Sequence, residues 1–187
     1  HLMFNTNIDF SDKKNTVLRL TASCAYSIKV NGEFFAMGPA RAGHGHYRVD
    51  EYTLDNVLNG ADNKIEILVA GYNQNSFYWL DQPSFLCAEI LKDGEVIAWT
   101  SDSRDDFKAY NFAERVVKVQ RYSFQRPAAE VYDYTKKTDY TKPVKLVHAT
   151  AEDKVFIERG IFYPAYEKEP AKSIICKGTV GVSEKDK

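Results

Sequence analysis

Residues 26–37 read YSIKVNGEFFAM and carry the clearest folding signal of the chain. The first half of this stretch alternates large side chains with polar ones: Tyr26, Ile28 and Val30. That period of two indicates a strand with one buried face. Asn31-Gly32 follows at once, and both residue types accept the positive φ of a tight two-residue turn. We therefore predict a β-hairpin whose second strand ends near Gly38-Pro39.

The same pattern recurs along the chain. Leu18 and Leu20 alternate with polar residues, residues 65–69 do the same, and a second hairpin is centred on Asp93-Gly94. No long apolar pattern with a 3.6-residue period supplies the helical crossovers of a parallel sheet. The sequence thus predicts an all-β antiparallel sandwich. One short helix is expected, with Thr53 as its cap and Gly60 at its end.

Residues 1–135 carry these strand signals and form the predicted sandwich domain. Residues 136–143 are polar and break the pattern, which indicates a linker. Further short apolar segments follow up to residue 187, too little for an independent core. We expect residues 136–187 to be a linker and a β segment that either packs back on the sandwich or begins a missing or truncated next domain.

Composition excludes several classes of function. Of the 187 residues 44% are apolar and 27% charged, the balance of a chain that forms a core. The net charge of −1 gives no cationic surplus for nucleic acid. No apolar run approaches the roughly 20 residues of a membrane span. No leader is visible after Met3, so we expect a periplasmic or secreted protein if a leader was removed, and otherwise a cytoplasmic one.

The motifs of catalysis and cofactor binding are absent from the sequence, including nucleophile elbows, phosphate loops and dinucleotide fingerprints. His44 and His46 are too few to bind zinc without a third ligand, so we expect no metal and no cofactor. The three cysteines are odd in number and far apart, which favours free thiols, with a Cys24–Cys87 bridge as the alternative. No catalytic residue is predicted.

Two loops mix aromatic and polar side chains in the way that sugar-binding surfaces do. Residues 72–83 include Tyr78, Trp79 and Asp81, and residues 41–48 include Arg41, His46 and Arg48. Aromatic faces stack on the C–H face of a pyranose, while polar groups satisfy its hydroxyls. We predict a carbohydrate site there if the fold brings the loops together. The alternative is that Phe77 and Trp79 close the end of the core.

A third loop of the same kind spans residues 120–127 and carries two arginines beside an aromatic side chain: Arg121, Tyr122 and Arg126. Guanidinium groups suit carboxylates, whether those of a ligand or those of a neighbouring domain. We predict that this loop contacts another domain of the same parent chain.

Several short stretches resemble, in the same order, the N-terminal region of bacterial α-L-rhamnosidases. The first runs from Val30-Asn31-Gly32 to Met37-Gly38-Pro39-Ala40-Arg41, similar to the family's VNG…GPAR hairpin. Similar stretches continue along the chain: His46-Tyr47-Arg48, Asp50-Glu51-Tyr52, Leu54 to Leu58, Asn63-Lys64-Ile65, Ser84-Phe85-Leu86 to Glu89-Ile90, Asp93-Gly94, and Thr100-Ser101-Asp102 leading to Phe107. The last is Arg159-Gly160-Ile161-Phe162-Tyr163-Pro164, similar to R-x-I-P-Y-P with Phe162 where proline is usual.

The resemblance implies an accessory sandwich of the galactose-binding, jelly-roll type. In that family the chemistry belongs to a later helical barrel, so this chain alone is expected to be non-catalytic. Its partners would be the catalytic domain of the parent chain and a carbohydrate, with no nucleic acid and no membrane. Two alternatives are a free-standing lectin-like binding module and a purely structural interface domain.

Overall fold

The computed structural model describes residues 1–9, 12–100, 104, 106–117, 119, 123, 125, 129–148, 153–167 and 169–178. Within these residues ten strands form two five-stranded sheets, and no helix is present. The strands are β1 (Leu2–Ile8), β2 (Thr16–Ala22), β3 (Ala25–Val30), β4 (Glu33–Gly38), β5 (His46–Thr53), β6 (Asn63–Ala70), β7 (Leu86–Lys92), β8 (Glu95–Trp99), β9 (Lys108–Asn111) and β10 (Val155–Glu158).

One sheet has the order β4-β3-β6-β1-β9 and the other has the order β10-β5-β2-β7-β8. All neighbouring strands are antiparallel except β10, which pairs in parallel with β5 at the edge of the second sheet. The predicted all-β fold with two layers is therefore confirmed. The sequence did not indicate the parallel edge pair, because its two strands lie more than 100 residues apart in the chain.

Both predicted hairpins are confirmed. Positive φ is found at both residues of each turn: Asn31 (53°), Gly32 (84°), Asp93 (52°) and Gly94 (88°). Left-handed backbone at both central residues defines the turn whose twist matches that of the flanking strands. Each hairpin also has a register shift, after Ile28 in one and after Ile90 in the other. The two hairpins thus use the same turn and the same kind of bulge on opposite sheets.

The short helix predicted between Thr53 and Gly60 is wrong, because Thr53 is the last residue of β5 and a single turn follows it. The N–H groups of Val57 and Leu58 both donate to Leu54 O, at 2.9 and 3.1 Å. The carboxylate of Asp55, in this turn, accepts from the backbone N–H groups of Asn15 and Thr16, at 3.0 and 2.9 Å. One isolated turn lacks the propagating hydrogen bonds that offset helix nucleation.

The core lies between the sheets and consists of the alternating residues that the sequence pattern indicates. The most deeply buried aliphatic side chains, all at most 1% exposed, include Leu18, Leu20, Ile28, Ile65, Ile67 and Ile90. Burying a side chain of this size contributes about 1.5–3 kcal/mol. Both sheets supply such residues, so the sandwich is held mainly by this shared apolar layer.

Residues after 136 contact the sandwich at several points. The N–H of Val144 donates to Ala109 O at 2.8 Å, and the ring of Tyr140 lies 5.1 Å from that of Tyr110. Further along, β10 adds itself to the edge of β5. Several described residues of this region therefore contact the sandwich, and the lead into a next domain stays a prediction. The boundary between residues 135 and 136 stays a prediction.

A buried ion pair joins the segment after β10 to the sandwich. Asp50 on β5 is fully buried, and Nη1 of Arg159 lies 2.6 Å from its Oδ1. Tyr26 OH donates to the other carboxylate oxygen, and Tyr52 OH lies 3.3 Å from Tyr26 OH. Burial raises the pKa of Tyr26 far above its usual range, so this phenol stays protonated and donates. Both oxygens of the buried carboxylate are thus satisfied, as a buried charge requires.

Arg159 also organises the residues that follow it. Its Nε donates to Ile161 O at 3.1 Å and its Nη2 donates to Phe162 O at 3.3 Å. The backbone of these residues therefore bends around the Arg159 guanidinium. The ring of Tyr163 lies 4.2 Å from the guanidinium carbon, and its hydroxyl accepts from the N–H of Glu51 at 2.7 Å. Residues 159–163 are therefore held by side-chain contacts rather than by a strand ladder.

Any side chain at position 38 should destabilise the fold, because a Cβ there would collide with Tyr26 and with Oδ2 of Asp50. We expect Gly38→Ala to cost about 1–3 kcal/mol of unfolding free energy, the usual penalty for overpacking. Gly43→Ala is the matched control, since nothing lies within 4 Å of its added Cβ. Urea denaturation of both variants gives the comparison, and equal stabilities would contradict the buried cluster.

Candidate functional site

The two aromatic and polar loops meet at one end of the sandwich and enclose a groove of about 600 Å³. The first loop follows β4 and runs into β5, and the second joins β6 to β7. Five of the six side chains predicted for carbohydrate line this groove: Arg41, His46, Arg48, Tyr78 and Trp79. Asp81 does not line it, because it lies in the exposed outer part of the second loop, where its N–H donates to Asn75 Oδ1 at 2.9 Å.

The second loop is shaped by its own short polar side chains. Ser76 Oγ accepts from the N–H groups of Tyr78 and Trp79, at 2.9 and 3.0 Å. The N–H of Ser76 donates to Trp79 O at 2.9 Å, which closes the turn. Serine hydroxyls cap turns in this way because they accept from N–H groups two or three residues on. The turn leaves Phe77 and Tyr78 exposed, at 68% and 54%.

Trp79 packs within its own loop and outside the core between the sheets. Its ring is half-buried and lies 4.4 Å from that of Tyr72, tilted by 34°. Tyr72 in turn donates to Glu130 Oε1, and Tyr132 OH donates to Glu130 Oε2 at 2.6 Å. Burial alone would raise the pKa of Glu130, but these hydrogen bonds and the charge of Arg115 outweigh it and lower the pKa. The ionised Glu130 therefore anchors Tyr72, on which Trp79 stacks.

The two arginines of the groove have different roles. The guanidinium of Arg41 lies 4.3 Å from the centre of the Tyr78 ring, and its Nη2 reaches Phe77 O only at 3.4 Å. Arg48, in contrast, donates from Nε to Arg41 O at 2.8 Å and from Nη1 to Glu158 O and Arg159 O. Arg48 thus braces the groove loop against the segment after β10, while Arg41 keeps donors for a ligand.

Tyr47 and Gln82 also line the groove, although neither is among the side chains predicted to bind carbohydrate. Tyr47 OH donates to Gln82 Oε1 at 2.7 Å, and Gln82 Nε2 donates to Ser23 O at 2.9 Å. These two residues tie the start of β5 to the turn between β2 and β3. Their pairing depends on contacts over 35 and 59 residues, which no local pattern reveals.

A second concavity, of about 910 Å³, lies near β1, β8 and β9 and contains none of the predicted site residues. Its charges are largely neutralised by neighbours: Lys64 pairs with Glu66, Lys92 with Asp93, and Asp106 with Arg104. Such internal pairing leaves little charge for a ligand, so this concavity is the weaker candidate.

The described part of the chain carries no feature of a metal site or of a membrane-spanning helix. It contains no group of three or more metal-ligating side chains and no helix that is long and apolar enough to cross a membrane. All three cysteines are free, so the alternative Cys24–Cys87 bridge is not formed. Burial raises the pKa of Cys24 to about 11. The residues predicted for interdomain contact, Arg121, Tyr122 and Arg126, lie outside the described residues.

Comparison with known proteins gives a likeness in structure only. The sequence matches no protein-family model and no curated protein. The structure is similar to part of a GH78 family rhamnosidase of Bacillus sp. GL1, with a TM-score of 0.71 and 23% identity over 87% of this chain and 18% of that protein. It is also similar to part of an α-L-rhamnosidase from Dictyoglumus thermophilum, with a TM-score of 0.60 and 14% identity over 84% of this chain and 18% of that protein.

A third similar structure is a Streptomyces avermitilis α-L-rhamnosidase complexed with L-rhamnose, with a TM-score of 0.54 and 18% identity over 73% of this chain and 14% of that protein. The chain spans less than a fifth of the length of each of these three proteins. The fold of this chain is thus the fold of one part of much longer rhamnosidases, which agrees with the resemblance read from the sequence.

Because Trp79 packs on Tyr72 in a loop, we expect Trp79→Ala to leave the sandwich folded, with a loss of about 1–2 kcal/mol. Ile67→Ala provides the comparison, since this core side chain is fully buried and its truncation should cost about 2–5 kcal/mol. Thermal melts monitored by circular dichroism measure both. A larger loss for Trp79→Ala than for Ile67→Ala would show that Trp79 closes the core.

Proposed function

We propose that this chain is a non-catalytic accessory β-sandwich of an α-L-rhamnosidase-like glycoside hydrolase, of the galactose-binding, jelly-roll type. The observation that carries the proposal is the superposition of 87% of the chain on 18% of a GH78 rhamnosidase. A domain that recurs as a small part of several long enzymes is typical of an accessory module. The strands also alternate repeatedly between the two sheets along the chain, which favours a jelly-roll topology.

The first role of this module is to pack against the catalytic part of the parent polypeptide. Large apolar side chains are exposed near the end of the described chain: Ile161 (54%), Phe162 (99%), Ile174 (69%) and Ile175 (95%). Exposed apolar side chains of this size commonly mark contact surfaces. Arg159 donates to the carbonyl oxygens of Ile161 and Phe162, so the buried ion pair orients these two residues. Arg121, Tyr122 and Arg126 remain proposed as additional contacts with the same domain.

The second role is carbohydrate binding in the groove at the end of the sandwich. Tyr78 offers an exposed ring, and Arg41 offers donors beside it. One stacked ring contributes on the order of 1 kcal/mol beyond burial, which supports affinity in the millimolar range. A purely structural interface domain would have the first role without the second.

Thiol labelling tests the packing role, because exposed Cys176 follows directly on Ile175. We expect a maleimide to modify Cys176 several-fold more slowly in the parent polypeptide than in this chain alone, since a docked domain excludes the reagent. Cys87 on β7 is the internal control and should react at the same rate in both. Mass spectrometry of tryptic peptides gives the two rates. Equal rates at Cys176 would contradict docking at this surface.

A further inference from the structure

The groove is lined by basic and aromatic side chains and by no carboxylate, and all its lining residues lie within the described range 12–100. Four side chains that carry or can acquire positive charge contribute to it: Arg41, His44, His46 and Arg48. The chain as a whole has a net charge of −1, so this concentration of basic side chains is local. A concave site with one sign of charge concentrates ligands of the opposite sign.

Three polar side chains that line the groove already accept hydrogen bonds within the protein. Gln82 Oε1 accepts from Tyr47, Ser76 Oγ accepts from two backbone N–H groups, and Ser23 Oγ accepts from the N–H of Phe85. Sugar hydroxyls both donate and accept, so a site for neutral sugars requires free acceptors as well as donors. A carboxylate only accepts. With basic side chains and no carboxylate lining it, the groove suits a ligand that brings acceptors of its own.

Arg41 is the side chain best placed to bind such an acceptor. Stacking on Tyr78 orients its planar guanidinium, whose one hydrogen bond to the described residues is the 3.4 Å contact with Phe77 O. Oriented guanidinium groups bind carboxylates through two parallel hydrogen bonds, which are charge-assisted. Nε of Arg48 donates to Arg41 O, and this hydrogen bond supports the loop that presents Arg41.

Aromatic rings stand beside this guanidinium. Phe77 and Tyr78 are more than half exposed, and Trp79 lies 6.0 Å from Tyr78, measured between ring centres. Such faces stack on the C–H face of a sugar ring. A ligand that uses the rings and Arg41 together must combine a pyranose with a carboxylate.

We propose that the groove binds acidic saccharides through a uronic acid residue, with the carboxylate on Arg41 and the sugar ring against the aromatic side chains. This inference rests on the proposed carbohydrate-binding role and specifies its ligand class. It accounts for the position of Asp81 outside the groove, since a carboxylate lining the site would repel the ligand.

The test is isothermal titration calorimetry of the 187-residue chain with galacturonic acid oligomers, neutral galactose oligomers and acetate, at low salt. We expect the acidic oligomers to bind at least about tenfold more tightly than the neutral ones, and acetate to give no measurable heat. Added salt should weaken the binding of the acidic oligomers. Arg41→Gln should reduce that affinity by about tenfold or more. Lys29→Gln removes an exposed cation on β3 and should leave it unchanged.

The other outcomes separate the two levels of the proposal. Equal affinity for neutral and acidic oligomers would overturn the acidic ligand class but leave carbohydrate binding intact. Binding of acetate as strong as that of the oligomers would overturn the saccharide and leave only a carboxylate site. No binding of any oligomer to a chain with a normal melting curve would overturn carbohydrate binding and this inference together, while the packing role would be untouched.

Discussion

The ion pair between Asp50 and Arg159 determines where the segment after β10 lies on the sandwich. It joins residues 109 positions apart and places a full charge from the segment after β10 inside the sandwich. Desolvating two charges is costly, and only good geometry with further hydrogen bonds offsets the cost. Here Tyr26 satisfies the carboxylate, and two backbone carbonyls satisfy the guanidinium. This hydrogen-bonded ion pair fixes one position for the segment after β10. Apolar contacts are not directional, so they alone would allow several positions.

The proposed functional surfaces follow from that fixed position. Curling around Arg159 turns Ile161 and Phe162 outward, where they form part of the apolar surface. In the other direction, Arg48 connects the carbonyls of Glu158 and Arg159 to that of Arg41. The packing surface and the groove are therefore both attached to the same short segment. A shift of that segment would move both.

Local signals in the sequence predicted the strands and hairpins well, because turn chemistry and alternation act over a few residues. Asn31-Gly32 and Asp93-Gly94 determine their turns without help from distant residues. The helix predicted after Thr53 is wrong because the spacing of Leu54, Val57 and Leu58 fits one turn as well as a helix, and only one turn forms. The partners of Arg159 and Gln82 lie far from them in the sequence, so no local pattern reveals these contacts. The motif around Arg159 indicates that this residue matters, whereas no motif indicates it for Gln82. The sequence predicts a carbohydrate site only if the fold brings residues 41–48 and 72–83 together, and in the structure both loops line one groove.

The measurement that tests this account most directly is a double-mutant cycle on the ion pair. Urea denaturation would give the unfolding free energies of Asp50→Asn, Arg159→Gln and the double variant. Each single change leaves a buried group without its charged partner, which typically costs about 3–5 kcal/mol. We expect the double variant to lose no more stability than the worse single variant, a coupling of a few kcal/mol. Losses that simply add would show that the two side chains do not act as a pair and would contradict the account.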